Sequence, residues 1–403
     1  MIIPPGPLSS DTFKYWIVDH VEHRVGFILQ SGEQVWSEAS EAPGRAYDSQ
    51  IARSIFDWDR WWVVNVTKRD HGIISQVYSP TTVDAIQGRA VVYLDQNHWR
   101  TLADCVKDES QIRRKGEIGP ARRLIDLQRD GKIILPVSSG NLLETSQLHG
   151  DRRYEVGRTM ADLAGGWQMR HPLKVRQAEV TATVAKVLGF DPPPERAAFT
   201  LEPMAFMRET TDDVTLMESD DPRMFQLALS SSAVMAEVLL DPDRLPLDQA
   251  TRWVEVNQQF TDWLANRPDD VKAKLVMTTI PVCQDLSNEV DAALEWAAAD
   301  RADLPALSLS DVRKLLLAAR MLGYYTRIAT LRFMNPRTRW RANDLIDMMF
   351  LCCAVGYADY VAAENHTGEQ LRQAQVAKGQ SRSVFSTLED LVNVLDGDAR
   401  VLP

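Results

Sequence analysis

The stretch VVYLDQNHW, residues 91–99, runs a buried strand straight into a carboxylate. Val91, Val92, Tyr93 and Leu94 have the β-branched, aromatic and aliphatic character of a strand inside a core. Asp95 follows with no spacer, then Asn97 and His98. A charge so near an apolar interior costs on the order of several kcal/mol unless something compensates it. The compensator is a hydrogen-bond donor, a basic side chain or a metal ion. The plainest version is a turn acid that caps a helix starting near Asn97.

Outward from this stretch, strand, helix and strand alternate. The strand 90–95 leads into a helix, the basic segment KDESQIRRKGEIGPARRLIDLQRDG holds a second helix, and KIILPVSS is another strand. Gly140 opens a helix carrying NLLETSQL, and GDRRYEVGRTMADLAGGW is amphipathic up to its glycine pair. That alternation implies a parallel sheet. The same texture returns late, with ANDLIDMMFLCCAVG as an apolar helix, YADYVAAE as a short strand and HTGEQLRQAQVA as a polar-faced helix. Residues 1–88 read instead as a β-rich accessory domain with Trp16, Trp36, Trp58, Trp61 and Trp62. These rings suit base stacking, but a core and domain-interface role is the favoured expectation. Residues 176–334 are helical by pattern, and Ser308 stands three residues before Asp311 as a capping-box start. No fixed-period repeat is apparent. The expected organisation is a β-rich domain (1–88), a first α/β part (89–175), a helical insertion (176–334) and a second α/β part (335–403).

The totals bound the function. With 45 Lys and Arg against 56 Asp and Glu, the net charge of -11 argues against coating nucleic acid along the whole chain. It leaves room for a local basic rim. No apolar run reaches the length of a membrane span, so no membrane role is expected. The start MIIPPGPLSSDTFKYW has no basic n-region, so no signal peptide is expected. The four cysteines, Cys105, Cys283, Cys352 and Cys353, have neither disulfide nor zinc spacing, which points to the cytoplasm.

Acids recur beside apolar elements. Asp95 ends a strand, Glu144 lies one turn into the helix after ILPVSSG, and Asp344 and Asp347 share a helix face. Glu364 ends the strand YADYVAA. In an open parallel sheet, ligands bind beyond the carboxyl ends of the strands, so these acids are expected to converge there. Carboxylates brought close together need a cation, and oxygen ligands alone favour Mg2+ or Mn2+. Such an ion suits phosphodiester hydrolysis. Basic stretches at 113–123, 150–158, 170–176 and 335–341 flank the acids in sequence. Arg152, Arg153, Arg337, Arg339 and Arg341 are the candidates for a phosphate-binding rim.

VVYLDQNHW, ILPVSSGNLLE and NDLIDMMFLCCAVGYADYVAAEN together resemble three motifs of PIN-like metal-dependent nuclease domains. The resemblance covers roughly residues 90–175 and 338–380. It implies a three-layer α/β/α fold with a parallel sheet, here carrying a large helical insertion and the N-terminal β-rich domain. It implies that Asp95, Glu144 and Asp347 are the central metal-binding acids, with Asp344 replacing or assisting Asp347. Glu364 falls where a fourth acid often stands, with Asn365 the neighbouring candidate, and Asn97 matches an asparagine that orients the first Asp. The implied activity is Mg2+- or Mn2+-dependent cleavage of nucleic acid, RNA before DNA. Two other readings stay open: a PIN-like nucleic-acid-binding or assembly scaffold that does not cut, and a phosphohydrolase of small phosphoesters. A protein partner or a homo-oligomer is compatible with each.

Overall fold

The computed structural model describes residues 12–38, 50–78, 86–208, 232–240, 251–363, 365–379 and 381–401. The chain is α/β and divides into two compact units. One gathers Met1–Met169, Phe199–Pro246 and Val392–Pro403; the other gathers Arg170–Ala198 and Leu247–Leu391. These units group the chain differently from the boundaries expected at 88, 175 and 334. The β-rich segment shares a unit with the first α/β part, and residues 335–391 share one with the helical segment.

The first unit opens with six strands: β1 (Phe13–Asp19), β2 (Arg24–Leu29), β3 (Gln34–Glu38), β4 (Ile51–Asp57), β5 (Trp62–Thr67) and β6 (Gly72–Gln76). They form one antiparallel sheet in the order β3-β2-β1-β4-β5-β6. The sheet is two copies of one three-stranded meander. Strand starts Phe13, Arg24 and Gln34 recur 38 residues later at Ile51, Trp62 and Gly72. The Asp19 carboxylate accepts the Val21 and Glu22 N–H groups, as Asp57 accepts those of Asp59 and Arg60. His23 and Trp61 both take positive φ (49° and 58°), as do Gly32 and Asp70. Few side chains keep this period, among them Ile17/Ile55, Asp19/Asp57 and Val25/Val63.

The two faces of this sheet differ. Phe13, Trp16, Val25, Phe56, Trp58, Val63 and Val77 form one buried cluster. The open face carries Ile17, Ile55, Trp36, Trp62 and Ile74, the last three exposed. Trp16 and Trp58 therefore follow the core reading of the tryptophans, whereas Trp36 and Trp62 do not. Trp36 lies flat on Gly26, where a Cβ would sit 2.5 Å from the ring.

Next come β7 (Ala90–Leu94), α1 (Gln96–Lys107), α2 (Ile118–Arg129) and β8 (Ile133–Ile134), with β7 and β8 parallel. Then follow α3 (Ser139–Ser146), α4 (Gly150–Ala164) and β9 (Gln168–Met169), which pairs with β10 (Phe199–Thr200). The six-stranded sheet is fixed to this part by polar ties. Gln76 N–H donates to Gly165 O, Trp167 Nε1 donates to Gln76 Oε1, and Thr67 and His71 both bond Tyr154. At Gly166, with φ +90°, a Cβ would stand 2.7 Å from Gln76 O, so the close approach needs glycine. A helical stretch at 232–240 (α6) places Glu237 on the Gln50 and Ile51 N–H groups.

The second unit holds α5 (Pro172–Leu188), α7 (Thr251–Ala265), α8 (Val271–Met277), α9 (Thr279–Asp285) and α10 (Ser287–Trp296). It continues through α11 (Leu309–Ala318), α12 (Met321–Met334), α13 (Ala342–Tyr357), β11 (Tyr360–Ala362), α14 (Asn365–Lys378) and β12 (Val384–Phe385). Strands β11 and β12 are parallel. Ser308 caps α11 through the Asp311 N–H, as its spacing predicts. The long apolar run 308–333 is not one helix: it breaks at Ala319, whose backbone is extended. Glu179 accepts the Met321 and Leu322 N–H groups just beyond the break and caps the new helix. Among the described residues no helix is long and apolar enough to cross a membrane.

The assignment of sheet faces makes a testable distinction. Phe56→Ala is expected to lower the stability by about 3–5 kcal/mol, because it empties a fully buried site. Ile74→Thr on the open face is expected to change it by less than ~1 kcal/mol. Urea unfolding of the two variants checks this, and comparable losses would contradict the assignment.

Candidate functional site

Strand β7 is buried from end to end, so the first place its chain can put a charge is Asp95. There the backbone is extended (φ -69°, ψ 160°), and Oδ1 accepts the Gln96 N–H at 2.7 Å as α1 begins. Asp95 is half-buried and caps α1, which is the plain reading of its position. Capping and ligation are compatible, since a carboxylate has two oxygens and about four acceptor positions.

A buried hydrogen-bond network holds α3 against this strand end. Tyr93 Oη and Ser138 Oγ are 2.9 Å apart, and Ser138 caps α3 by accepting the Asn141 N–H. Asn141 Oδ1 accepts Ser138 N–H at 3.0 Å, and its Nδ2 donates to Leu94 O at 3.4 Å. Gln96 Nε2 donates to Thr145 Oγ1 at 2.8 Å. Leu94 and Gln96 flank Asp95, and Asn141 and Thr145 bracket Glu144, so the network draws the two acid-bearing stretches together. Glu144 is half-buried on α3. Sequence reading did not identify Gln96, Ser138, Asn141 and Thr145. The one available signal was polar residues inside segments otherwise read as core.

The asparagine expected to orient Asp95 does not occupy the buried position. Asn97 is exposed, and the neighbouring buried amide is Gln96, at the point where α1 turns its first residue inward. His98 is buried, and burial, followed by the charge of Arg114, pushes its pKa down to about 4. It is therefore neutral near pH 7, and in the unfolded chain its pKa returns to about 6.5. Because the folded pKa is the lower one, the unfolded state takes up the proton first on acidification. Stability is thus expected to fall between about pH 6.5 and pH 4, by up to about 3 kcal/mol, and to level below. Urea unfolding across that range should show a smaller decline in His98→Gln than in the wild type. An equal decline would exclude His98 as its source.

Asp344 and Asp347 are half-buried residues of α13 in the second unit. Asp344 binds the Arg332 guanidinium and accepts the Arg341 N–H at the helix start. Arg332 is only 6% exposed; its guanidinium lies 4.5 Å from the Trp340 ring centroid. Burial pulls the Arg332 pKa down, and the charges of Asp344 and then Asp347 oppose the shift. Asp344 thus neutralises a buried cation, a role its sequence position does not reveal. Asp344→Ala is expected to lose about 3 kcal/mol of stability because it strands that cation. Thermal unfolding tests this, and an unchanged midpoint would contradict it.

The basic candidates separate into two groups. Arg337, Arg339 and Arg341 are exposed, on the connection between α12 and α13. Arg152 pairs with Asp104 on α1. Arg153 is 2% exposed, with Nη1 donating to Ser146 O and Nη2 to Val238 O, which removes it from an exposed rim. It points inward because it shares the α4 face of the buried Gly157, Met160 and Ala164. Glu364 lies outside the described residues. Among the described residues, no group of three or more His, Cys, Asp or Glu side chains is gathered within reach of one ion. No family model, no curated protein and no solved structure matches the chain.

Proposed function

We propose that the protein is a metal-dependent nuclease with a PIN-like α/β arrangement, centred on Asp95 and Glu144 and acting on RNA before DNA. The observation that carries this reading is the buried network at the end of β7. It holds an acid at a parallel strand's carboxyl end beside a helix that supplies a second acid. Two hard carboxylates are enough for Mg2+ or Mn2+, which keep several waters and share their sphere with a phosphate. When bound, such an ion supplies Lewis acidity and lowers the pKa of a coordinated water.

The protein's own groups have defined tasks in this proposal. Asp95 and Glu144 would hold the cation, and the Gln96–Thr145 and Asn141–Leu94 bonds fix the backbone that presents them. In the second unit, Arg337, Arg339 and Arg341 have exposed guanidinium groups of the kind that bind backbone phosphates. In the hydrolysis, the water oxygen bonds to phosphorus and the phosphorus–oxygen bond to the leaving nucleoside breaks. The leaving oxygen takes up a proton and departs as a hydroxyl.

The commitment of Asp344 to Arg332 favours a second reading, a PIN-like scaffold that binds nucleic acid and does not cut it. One assay separates these readings. Labelled single-stranded RNA should be cleaved by the wild type in Mn2+ and spared in EDTA. Asp95→Asn and Glu144→Gln should each lower the rate at least ~100-fold, since even outer-sphere partners of a metal are worth 10–100-fold. Asp347→Asn in the same assay reports on the third acid expected from the sequence. Binding without cleavage by any protein would support the scaffold. Hydrolysis of a chromogenic phosphoester but not RNA would support a phosphohydrolase.

A further inference from the structure

Along one face of helix α12, cations from α11, α12 and α14 line up without an ion pair to a carboxylate among the described residues. Tyr324, Arg327 and Thr330 follow one another at three-residue spacing and so share a face. At one end, Lys378 of α14 places its ammonium 4.5 Å from the Tyr324 ring centroid and donates to Ala319 O at 3.5 Å. Gly323 makes room for it: a Cβ there would lie 3.2 Å from Nζ. At the other end, Arg313 of α11 donates to the hydroxyls of Thr278, Thr279 and Thr330 at 3.1–3.4 Å. Arg327 stands between, and its Nε is buried with no hydrogen-bond partner.

Two buried arginines of this unit are neutralised. Arg176 pairs with Asp285 and Glu289, and Arg332 pairs with Asp344. Among the described residues, none of Arg313, Arg327 and Lys378 lies within ion-pair distance of a carboxylate. Glu179 acts on Lys378 electrostatically, but its oxygens are already bonded to the Met321 and Leu322 N–H groups and the Tyr357 hydroxyl. Burial, and next the charge of Arg327, hold both Arg313 and Lys378 below their ordinary pKa values. Three half-buried like charges in one column are mutually destabilising unless an anion joins them.

We infer that Arg313, Arg327 and Lys378, with the Thr278, Thr279 and Thr330 hydroxyls, form a binding site for a phosphoryl oxyanion. Guanidinium forks and hydroxyl donors match its tetrahedral oxygens, and the buried Arg327 Nε supplies a donor that no other described residue uses. The phosphoryl group comes either from a small phosphate or from a nucleic-acid backbone. The inference stands independently of the nuclease reading.

The test is the melting temperature of the full chain in EDTA, titrated with orthophosphate against chloride of matched ionic strength. Orthophosphate should raise it beyond the chloride control, and Arg327→Gln should weaken the apparent affinity at least ~10-fold, as loss of one charge-assisted bond implies. Without phosphate, Arg327→Gln should melt at or above the wild-type temperature, because a repulsion is relieved. Lys378→Gln, a change on a different helix, should weaken the phosphate response in the same direction. Displacement of bound orthophosphate by single-stranded RNA would identify a backbone source, and no displacement a small phosphate. No effect beyond chloride, or a lower melting temperature with an unchanged phosphate response in Arg327→Gln, would overturn the site.

Discussion

Everything about the candidate centre depends on a strand that has no exposed position. Because β7 is buried on both faces, its chain can carry a charge only on leaving the sheet, and Asp95 is the first residue to do so. The helix that follows begins at the next residue, which fixes the carboxylate at a helix N-terminus where negative charge is favoured. Tyr93, Ser138, Asn141, Thr145 and the Gln96 amide nitrogen satisfy one another at this junction, whereas Gln96 Oε1 is buried without a hydrogen-bond partner. The same bonds hold α3, and with it Glu144, against the strand end. The cap at Asp95 and the placement of Glu144 thus rest on one network.

Neutralisation of buried charge gives the second unit its organisation. Arg176 is enclosed with Asp285, Glu289 and the Tyr325 hydroxyl, and Arg332 with Asp344 and the Trp340 ring. Glu179 spans the α11–α12 break by capping one helix and receiving the Tyr357 hydroxyl. Against these matched groups, Arg313, Arg327 and Lys378 along α12 stand without an ion-pair partner among the described residues. In the first unit, the duplicated meander solves a different problem: it closes one apolar face onto the aromatic cluster and leaves the other to solvent.

Local pattern was legible in the sequence wherever it alone decides structure. The strand before Asp95, the helix after it, the apolar helix ending near Tyr357, the strand around Val361 and the Ser308 cap all follow from periodicity and capping chemistry. What was not legible depends on partners far along the chain. Arg153 and Arg152 are adjacent, yet one is buried and one pairs with Asp104, a choice set by the face of α4. Asp344 has the look of a ligand until Arg332, twelve residues earlier, is found against it. The 38-residue repeat is a repeat of turns and strand lengths, and side-chain identity carries almost none of it. Gln96 and Thr145 are 49 residues apart, so no short motif reveals their bond.

A divalent cation held jointly by Asp95 and Glu144 is what the proposed chemistry requires. Anomalous difference density from a crystal soaked in Mn2+ tests it most directly. A peak within coordination distance of both carboxylates is expected, lost when Asp95 is replaced by Asn. A soaked crystal with no peak at these two acids, or a peak that persists unchanged in the variant, would contradict it.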